Sequence, residues 1–122
     1  MTEDFFITVR PVGFVRGEGE ICEVEVRPAY AEGLLGIEQA KELQILYWMH
    51  RLSDTDRRLL TAHPMGETSR PQRGVFALRS PMRPNPIGSS VVELIQVEGT
   101  RLRVRGLDAF DGSPVVDIKI VS

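Results

Sequence analysis

Apolar and charged residues alternate one by one where Cys22, Val24 and Val26 are interleaved with Glu23, Glu25 and Arg27. That period of two puts the apolar side chains on one face of a strand and the charges on the other. The alternation returns in Leu102 and Val104 against Arg101, Arg103 and Arg105. Ser90 to Val97 reads as the strand before it, and Glu98-Gly99-Thr100 has the composition of the hairpin turn between them. Gln44 to Met49 is bulky enough for a central strand buried on both faces; periodicity alone does not separate it from a buried helix, and strand is preferred. Val115 to Val121 makes a last strand. Phe6 to Val15 is rich in strand formers, and Pro11, with no N–H for the ladder, makes it an edge or bulged strand.

Helical signals are sparser. Pro28 to Gly36 reads as a turn or a short helix closed by glycine, and Ile37, Ala40 and Leu43 share one face of a possible helix over 37–43. Ser53 with Asp56 three residues on is a capping-box start for a short helix through Leu60, which Pro64 would stop. Arg16 to Glu20 is a turn, and Pro64 to Gly88 forms long shaped loops in which only Val75 to Leu78 looks strand-like. Five to seven short strands with so little helix predict a mainly β fold: a single-domain antiparallel β-barrel over 1–122, with long loops and one or two short helices. Closing the sheet removes the exposed edges that a small open sheet would leave.

The length of 122 residues is sufficient for one core without covalent staples. Cys22, the one cysteine, cannot form an intramolecular disulfide and is expected to be a small buried apolar group. With no secretory pattern at the N-terminus, a cytoplasmic location is expected. The longest apolar run, Leu43 to Met49, is far short of the roughly 20 residues a membrane helix needs, so no membrane partner is expected. His50 and His63 stand at no metal-ligand spacing with each other or with Cys22, and no metal is expected. Tyr47 and Trp48 read as core or dimer-interface side chains.

A net charge of −2 argues against a protein that coats nucleic acid by bulk charge. The sum hides a gradient: residues 51–105 hold ten basic and five acidic side chains, against four and nine in 1–50. The middle is a candidate anion-facing surface, although solvated alternating charges account for it as well. Within it, Arg79-Ser80-Pro81-Met82-Arg83-Pro84-Asn85-Pro86-Ile87-Gly88 has prolines that fix φ and disfavour helix at each preceding residue. Such a stiff loop presents Arg79, Ser80, Arg83 and Asn85 to a ligand at low entropic cost. Further on, Leu107 to Lys119 contains Asp108, Asp111 and Asp117. Asp111-Gly112 is first of all turn chemistry, yet at least one of the three carboxylates could face a cation or accept a proton.

Together, Arg73-Gly74-Val75-Phe76-Ala77-Leu78-Arg79-Ser80-Pro81-Met82-Arg83-Pro84-Asn85-Pro86-Ile87-Gly88 and Leu107-Asp108-Ala109-Phe110-Asp111-Gly112-Ser113-Pro114-Val115-Val116-Asp117-Ile118-Lys119 resemble the paired signatures of the TsaA/TrmO-like family of S-adenosylmethionine-dependent tRNA N6-adenosine methyltransferases. Tyr30 to Leu34, Leu46 to Arg51, His63-Pro64 and Ser69 to Gly74 extend the likeness from about Val12 onward. The resemblance implies a single-sheet barrel, a homodimer, and S-adenosylmethionine held beside the proline-rich loop by His50, Arg79, Ser80, Arg83, Asp111, Gly112, Ser113 and Pro114. Arg83 and Asn85 would face the substrate, and Arg79 or Arg83 would pair with a carboxylate of the cofactor or of the substrate. The implied reaction methylates N6 of a threonylcarbamoylated adenosine beside the tRNA anticodon. Asp111 and Asp117 are the candidate catalytic carboxylates, with His50 as a further proton acceptor; spacing does not rank the three. The chain departs from the family pattern at Met82, where histidine is usual, at Leu78, at Ile120-Val121, and in the short stretch Val15 to Glu20. Alternative expectations are methylation of a small metabolite or nucleoside, or a non-catalytic ligand-binding barrel.

Overall fold

The computed structural model describes residues 5–121, so residues 1–4 and 122 of the expected 1–122 domain lie outside the described residues. Its strands are β1 (Gly13–Arg16), β2 (Ile21–Val26), β3 (Glu42–Trp48), β4 (Thr61–Ala62), β5 (Arg73–Gly74), β6 (Ile87–Glu98), β7 (Arg101–Arg105) and β8 (Pro114–Ile120), with one α-helix, α1 (Asp54–Arg57). Six of them close an antiparallel barrel in the order β1-β2-β7-β6-β3-β8, while β4 and β5 form a separate two-stranded ribbon. The mainly β barrel is as the alternation predicts.

Alternation sets the register. Val24 of β2 stands between Val15 and Leu102, and Cys22 stands opposite Val104, so each apolar residue meets another inside while Glu23 and Glu25 face outward with Arg103 and Arg101. Val15, Val24, Leu43, Ile45, Leu102, Val104 and Val115 are fully buried and form one continuous core. The row of Arg101, Arg103 and Arg105 is the exposed charged face expected of it, with Arg101 facing Glu23 and Arg105 bridging Glu20 and Glu93. Gly13 is required where β1 crosses β2, because a Cβ there would lie 2.4 Å from the Glu25 carbonyl oxygen.

Several expectations are corrected. The possible helix over 37–43 is only a 3₁₀ turn, Ile37–Gln39, after which Leu43 enters β3 opposite Val92 and Ile120. Ile37 and Leu43 still bury in the same core, which is why a helical pattern mimicked a turn followed by a strand. β1 begins at Gly13 rather than Phe6; Phe5 to Val9 is exposed chain without ladder partners among the described residues. Val75–Ala77 is a 3₁₀ turn instead of a strand, and the pairing of β4 with β5 lies outside the sequence expectation. The expected strand over 44–49 is found as part of β3, which ends at Trp48, but within it only Ile45 and Tyr47 are fully inside; Leu46 and Trp48 on the other face are half-buried.

α1 is a single turn held by its predicted capping box, Ser53 Oγ accepting from Asp56 N at 3.1 Å and Asp56 Oδ2 accepting from Ser53 N at 2.9 Å. It delivers Arg57 to stack on Trp48 and donate to the Pro84 carbonyl, tying the proline-rich loop to the barrel. Ser53→Ala is expected to cost about 1 kcal/mol in urea unfolding, the usual worth of an N-cap.

Burial, and secondarily the charge of Glu23, pushes the Cys22 thiol above its ordinary range. A raised folded pKa favours the protonated form, so any stability it confers is fully present below the unfolded thiol pKa and is lost as pH rises from there through the higher folded one. At about pH 8 a thiol–disulfide exchange reagent should therefore leave the native protein unlabelled and titrate one thiol per chain after denaturation.

Candidate functional site

Strand directions bring four loops to one end of the barrel: the β1–β2 turn, the exit from β3 at Met49 to Leu52, the proline-rich loop entering β6, and the 106–113 segment between β7 and β8. Two cavities open among them, of about 510 Å³ and about 440 Å³. They share Tyr47, Met49, Pro81 and Asp108 as walls, and so form two lobes of one cleft.

Tyr47 is the floor. Its ring is buried, its hydroxyl donates to the Asp108 carbonyl oxygen, and Ser90 Oγ lies 3.3 Å from that hydroxyl. The ring lies against the Cα of Gly88, its cross-strand partner; a Cβ there would fall 2.3 Å from Tyr47 Cε2. The glycine that ends the proline-rich signature is thus the seat of the aromatic floor.

The larger lobe is mainly apolar, walled by Met49, Leu52, Leu107, Ala109 and Phe110. Its rim is a polar clasp. Arg51 stacks 4.0 Å over the Phe110 ring and reaches Glu18 at 3.4 Å. Glu18 also accepts from Asp111 N at 3.2 Å, and Asp111 Oδ1 accepts from Gly17 N at 2.8 Å. Asp111 therefore joins the β1–β2 turn to the 106–113 segment, and Gly112 supplies the positive φ of 83° that the turn needs. Ser113 is buried in the wall, donating to the Phe110 carbonyl at 2.7 Å with His50 Nδ1 3.3 Å from its Oγ.

The smaller lobe is basic, lined by Arg79, Ser80 and Arg83. Arg83 Nε donates to the Ser80 carbonyl at 2.7 Å, and Nη2 to those of Val75 and Leu78 at 2.9 and 2.8 Å. This guanidinium is the internal clasp of the loop. Arg79 has no hydrogen-bond or ion-pair partner among the described residues and stands exposed at the rim, leaving its planar fork available to an anion.

The ten residues singled out in the sequence divide accordingly. His50, Arg79, Ser80, Arg83, Asp111, Gly112 and Ser113 gather at this end of the barrel. Asn85 and Pro114 line a neighbouring groove with Trp48 and Ile87. Asp117 lies on β8 opposite Leu46 on the outward face, bridges Lys119 at 3.0 Å and lines a separate cavity beneath Tyr30 and Leu34; it is not brought to Asp111. Sequence reasoning missed Tyr47 as a shared wall, and Glu18 and Arg51 as the rim; Asp108, the other shared wall, was named only as one of three carboxylates. The close-approach glycine Gly88 was the available signal for Tyr47. Nothing in the composition of the Gly17–Gly19 turn distinguishes Glu18. Among the described residues no group of three or more histidine, cysteine or acidic side chains is placed to hold a metal ion.

A cleft with an apolar lobe and a basic lobe, with acidic Asp108 at their junction, suits a molecule of drug-like size that is aromatic or thioether-like at one end and anionic at the other. Comparison with known proteins bears on which one. Residues 11–121 match the family described as the tRNA-methyltransferase O N-terminal domain. An S-adenosyl-L-methionine-binding protein of Archaeoglobus fulgidus is 50% identical over 99 residues, covering 81% of this chain and 68% of that protein. A probable S-adenosyl-L-methionine-binding protein of Methanothermobacter thermautotrophicus is 42% identical over 95% of this chain and 90% of its own length. The crystal structure of TrmO from Pseudomonas aeruginosa superposes with a TM-score of 0.73 at 30% identity, over 97% of this chain and 57% of that one. The chain thus spans little more than half the length of that solved relative.

Proposed function

The chain belongs to the tRNA-methyltransferase O N-terminal domain family, and from that membership we propose that it is an S-adenosylmethionine-dependent methyltransferase that modifies N6 of threonylcarbamoyladenosine beside the tRNA anticodon. The observation that carries the reading is that both signature segments wall one cleft, whose apolar and basic lobes meet at Tyr47 and Asp108. When bound, S-adenosylmethionine supplies an electrophilic methyl group on a cationic sulfur.

The residues of the chain divide the remaining work. Arg79 pairs with a carboxylate, while Ser80 and the Arg83-clasped loop hold the acceptor in line, the arrangement in which positioning supplies most of the acceleration. Asp108, at the junction of the lobes, favours positive charge there. An acceptor nitrogen that took the methyl group would have to give up a proton to the protein or to water. Of the three candidate acceptors, Asp111 is engaged by Gly17 N and Asp117 lies with Lys119 on the outward face, so the role falls to His50, which lines neither lobe itself but stands exposed against Ser113 of the cleft wall. His50→Gln is expected to leave cofactor affinity within about two-fold and to lower kcat by roughly 10²-fold or more. Equal losses in cofactor affinity and kcat would instead make His50 a binding residue.

The proposal extends to assembly and place. Phe5, Phe6 and Ile7 are 88%, 84% and 76% exposed beside the groove of Trp48, Ile87 and Val116, an apolar surface that a second copy would cover; sedimentation velocity should find a dimer. No helix among the described residues is long and apolar enough to cross a membrane, and a lone buried thiol accords with the cytoplasm. The direct test is nucleoside analysis of threonylcarbamoylated tRNA after incubation with the protein and S-adenosylmethionine. A methylated nucleoside supports the proposal. Methylation of small nucleosides but not of tRNA would favour the second reading, a small acceptor, to which the net charge of −2 lends weight.

A further inference from the structure

Resting on the tRNA reading, we infer that the ribbon of β4 and β5, with the turns that flank it, is a docking surface for the unpaired loop of an RNA. From Arg57 to Arg83 the chain carries six arginines against a single acidic residue, Glu67, whereas the chain as a whole is net acidic. Two of the six are committed to loop carbonyls: Arg57 to Pro84, and Arg83 to Ser80, Val75 and Leu78. Arg70 faces Glu67 at 4.0 Å. Arg58, Arg73 and Arg79 are exposed and have no carboxylate within ion-pair distance among the described residues. Most of the barrel's arginine rows differ, for Arg16, Arg101 and Arg105 each stand across from a glutamate, and Arg103, though it makes no ion pair among the described residues, lies opposite Glu23 in the register.

Apolar groups stand out of the same surface. Val75 N donates to the Leu60 carbonyl at 2.9 Å, and Ala62 pairs with Arg73, so Arg58 to Ala62 runs alongside Arg73 to Phe76. Phe76 is 82% exposed and Met65 89% exposed, the latter held outward by a left-handed backbone at φ 55°. A single exposed ring needs no partner by itself; what sets Phe76 apart is its place among guanidinium groups that no carboxylate neutralises. Uncompensated guanidinium groups interleaved with an exposed ring suit an unpaired nucleic acid loop, whose phosphates take the arginines and whose bases stack on the ring. The ribbon leads directly into the loop bearing Arg79 and Ser80, so a strand lying along it is directed toward the basic lobe of the cleft. The acidic remainder of the chain repels phosphate elsewhere and fixes which side the RNA approaches.

The test is fluorescence anisotropy of the full chain with a labelled RNA stem-loop and with a fully paired RNA duplex, over a range of salt, for the parent, the double variant Arg58→Glu/Arg73→Glu, and Phe76→Ala. The double variant should bind the stem-loop at least ten-fold more weakly, with a salt slope shallower by about one to two. Phe76→Ala should lose roughly ten-fold on the stem-loop and nothing on the duplex. Melting temperature and S-adenosylmethionine titration should be unchanged for both variants, since none of the three residues lines the cleft. Stem-loop binding equal to the parent in both variants overturns the ribbon as the surface while leaving the tRNA reading intact. A parent that binds S-adenosylmethionine but no stem-loop overturns both the surface and the tRNA acceptor.

Discussion

Arg83→Ala is expected to weaken S-adenosylmethionine binding at least ten-fold while leaving a cooperatively folded barrel. Its guanidinium holds three carbonyls of its own loop, those of Val75, Leu78 and Ser80, and each charge-assisted bond of this kind is worth about 1.5–3 kcal/mol when buried. Here the loop is partly open to water, which replaces the lost donors, so the net stability loss should be nearer about 1–2 kcal/mol. The loss of order is the larger effect. Without the clasp, Arg79, Ser80 and Pro81 are no longer fixed against Tyr47 and Met49, and the basic lobe must be reassembled on binding. Arg83→Lys should fail to rescue affinity, because one ammonium on a flexible stem cannot reproduce a planar fork directed at three carbonyls. Calorimetric titration together with a melting curve reads both effects; an alanine variant with parental affinity would show that the loop keeps its shape without the clasp.

Gly88→Val is the substitution expected to cost most in stability, about 3 kcal/mol, at the upper end for overpacking. A Cβ at this position would lie 2.3 Å and 2.4 Å from Tyr47 Cε2 and Cζ. The ring has little room to retreat: it is buried among core side chains, and its hydroxyl is engaged by Asp108 and Ser90. Either the ring swings into the cleft or the pairing of Tyr47 with Gly88 opens where β3 meets β6. Both outcomes damage the site as well as the fold, so ligand affinity should fall with stability. In a Tyr47→Ala background the same Gly88→Val change should cost less than about 1 kcal/mol, and the double-mutant cycle isolates the contact. An additive cycle would mean that the ring and the glycine are not coupled.

The barrel was legible because its strands alternate. Cys22 to Arg27 and Arg101 to Arg105 each declare an inner and an outer face, and in the structure they are neighbours whose apolar residues stand opposite one another. Where one pattern serves two structures, the sequence is ambiguous. Ile37-Ala40-Leu43 fits a helix face, yet Ile37 arrives from a 3₁₀ turn and Leu43 from a strand. Phe5 to Val9 has strand propensity and no partner strand among the described residues, and a strand exists only where another pairs with it. The two-residue strands β4 and β5 are too short for periodicity to register at all.

The site was half legible. Proline spacing marked the stiff loop, and arginine content marked it as anion-facing, but which arginine faces outward depends on hydrogen bonds to carbonyls far along the loop. That is why the sequence does not show that Arg83, named as a ligand contact and lining the basic lobe, is also the loop's own clasp, while Arg79 remains open. Asp111 and Asp117 look alike along the chain, six residues apart, yet a strand bulge between Leu46 and Tyr47 and the outward register of β8 separate them. Tyr47 reads as core from its bulk and neighbours, which it is, but its polar tip also shapes the cleft.

The central claim is that the two-lobed cleft holds S-adenosylmethionine, and isothermal titration of the full chain with S-adenosylmethionine and S-adenosylhomocysteine tests it most directly. Saturable binding of both near one site per chain is expected, lost or weakened at least ten-fold in Arg83→Ala. Protein with a cooperative melt that binds neither ligand would contradict the claim and leave the barrel as a fold without its family's chemistry.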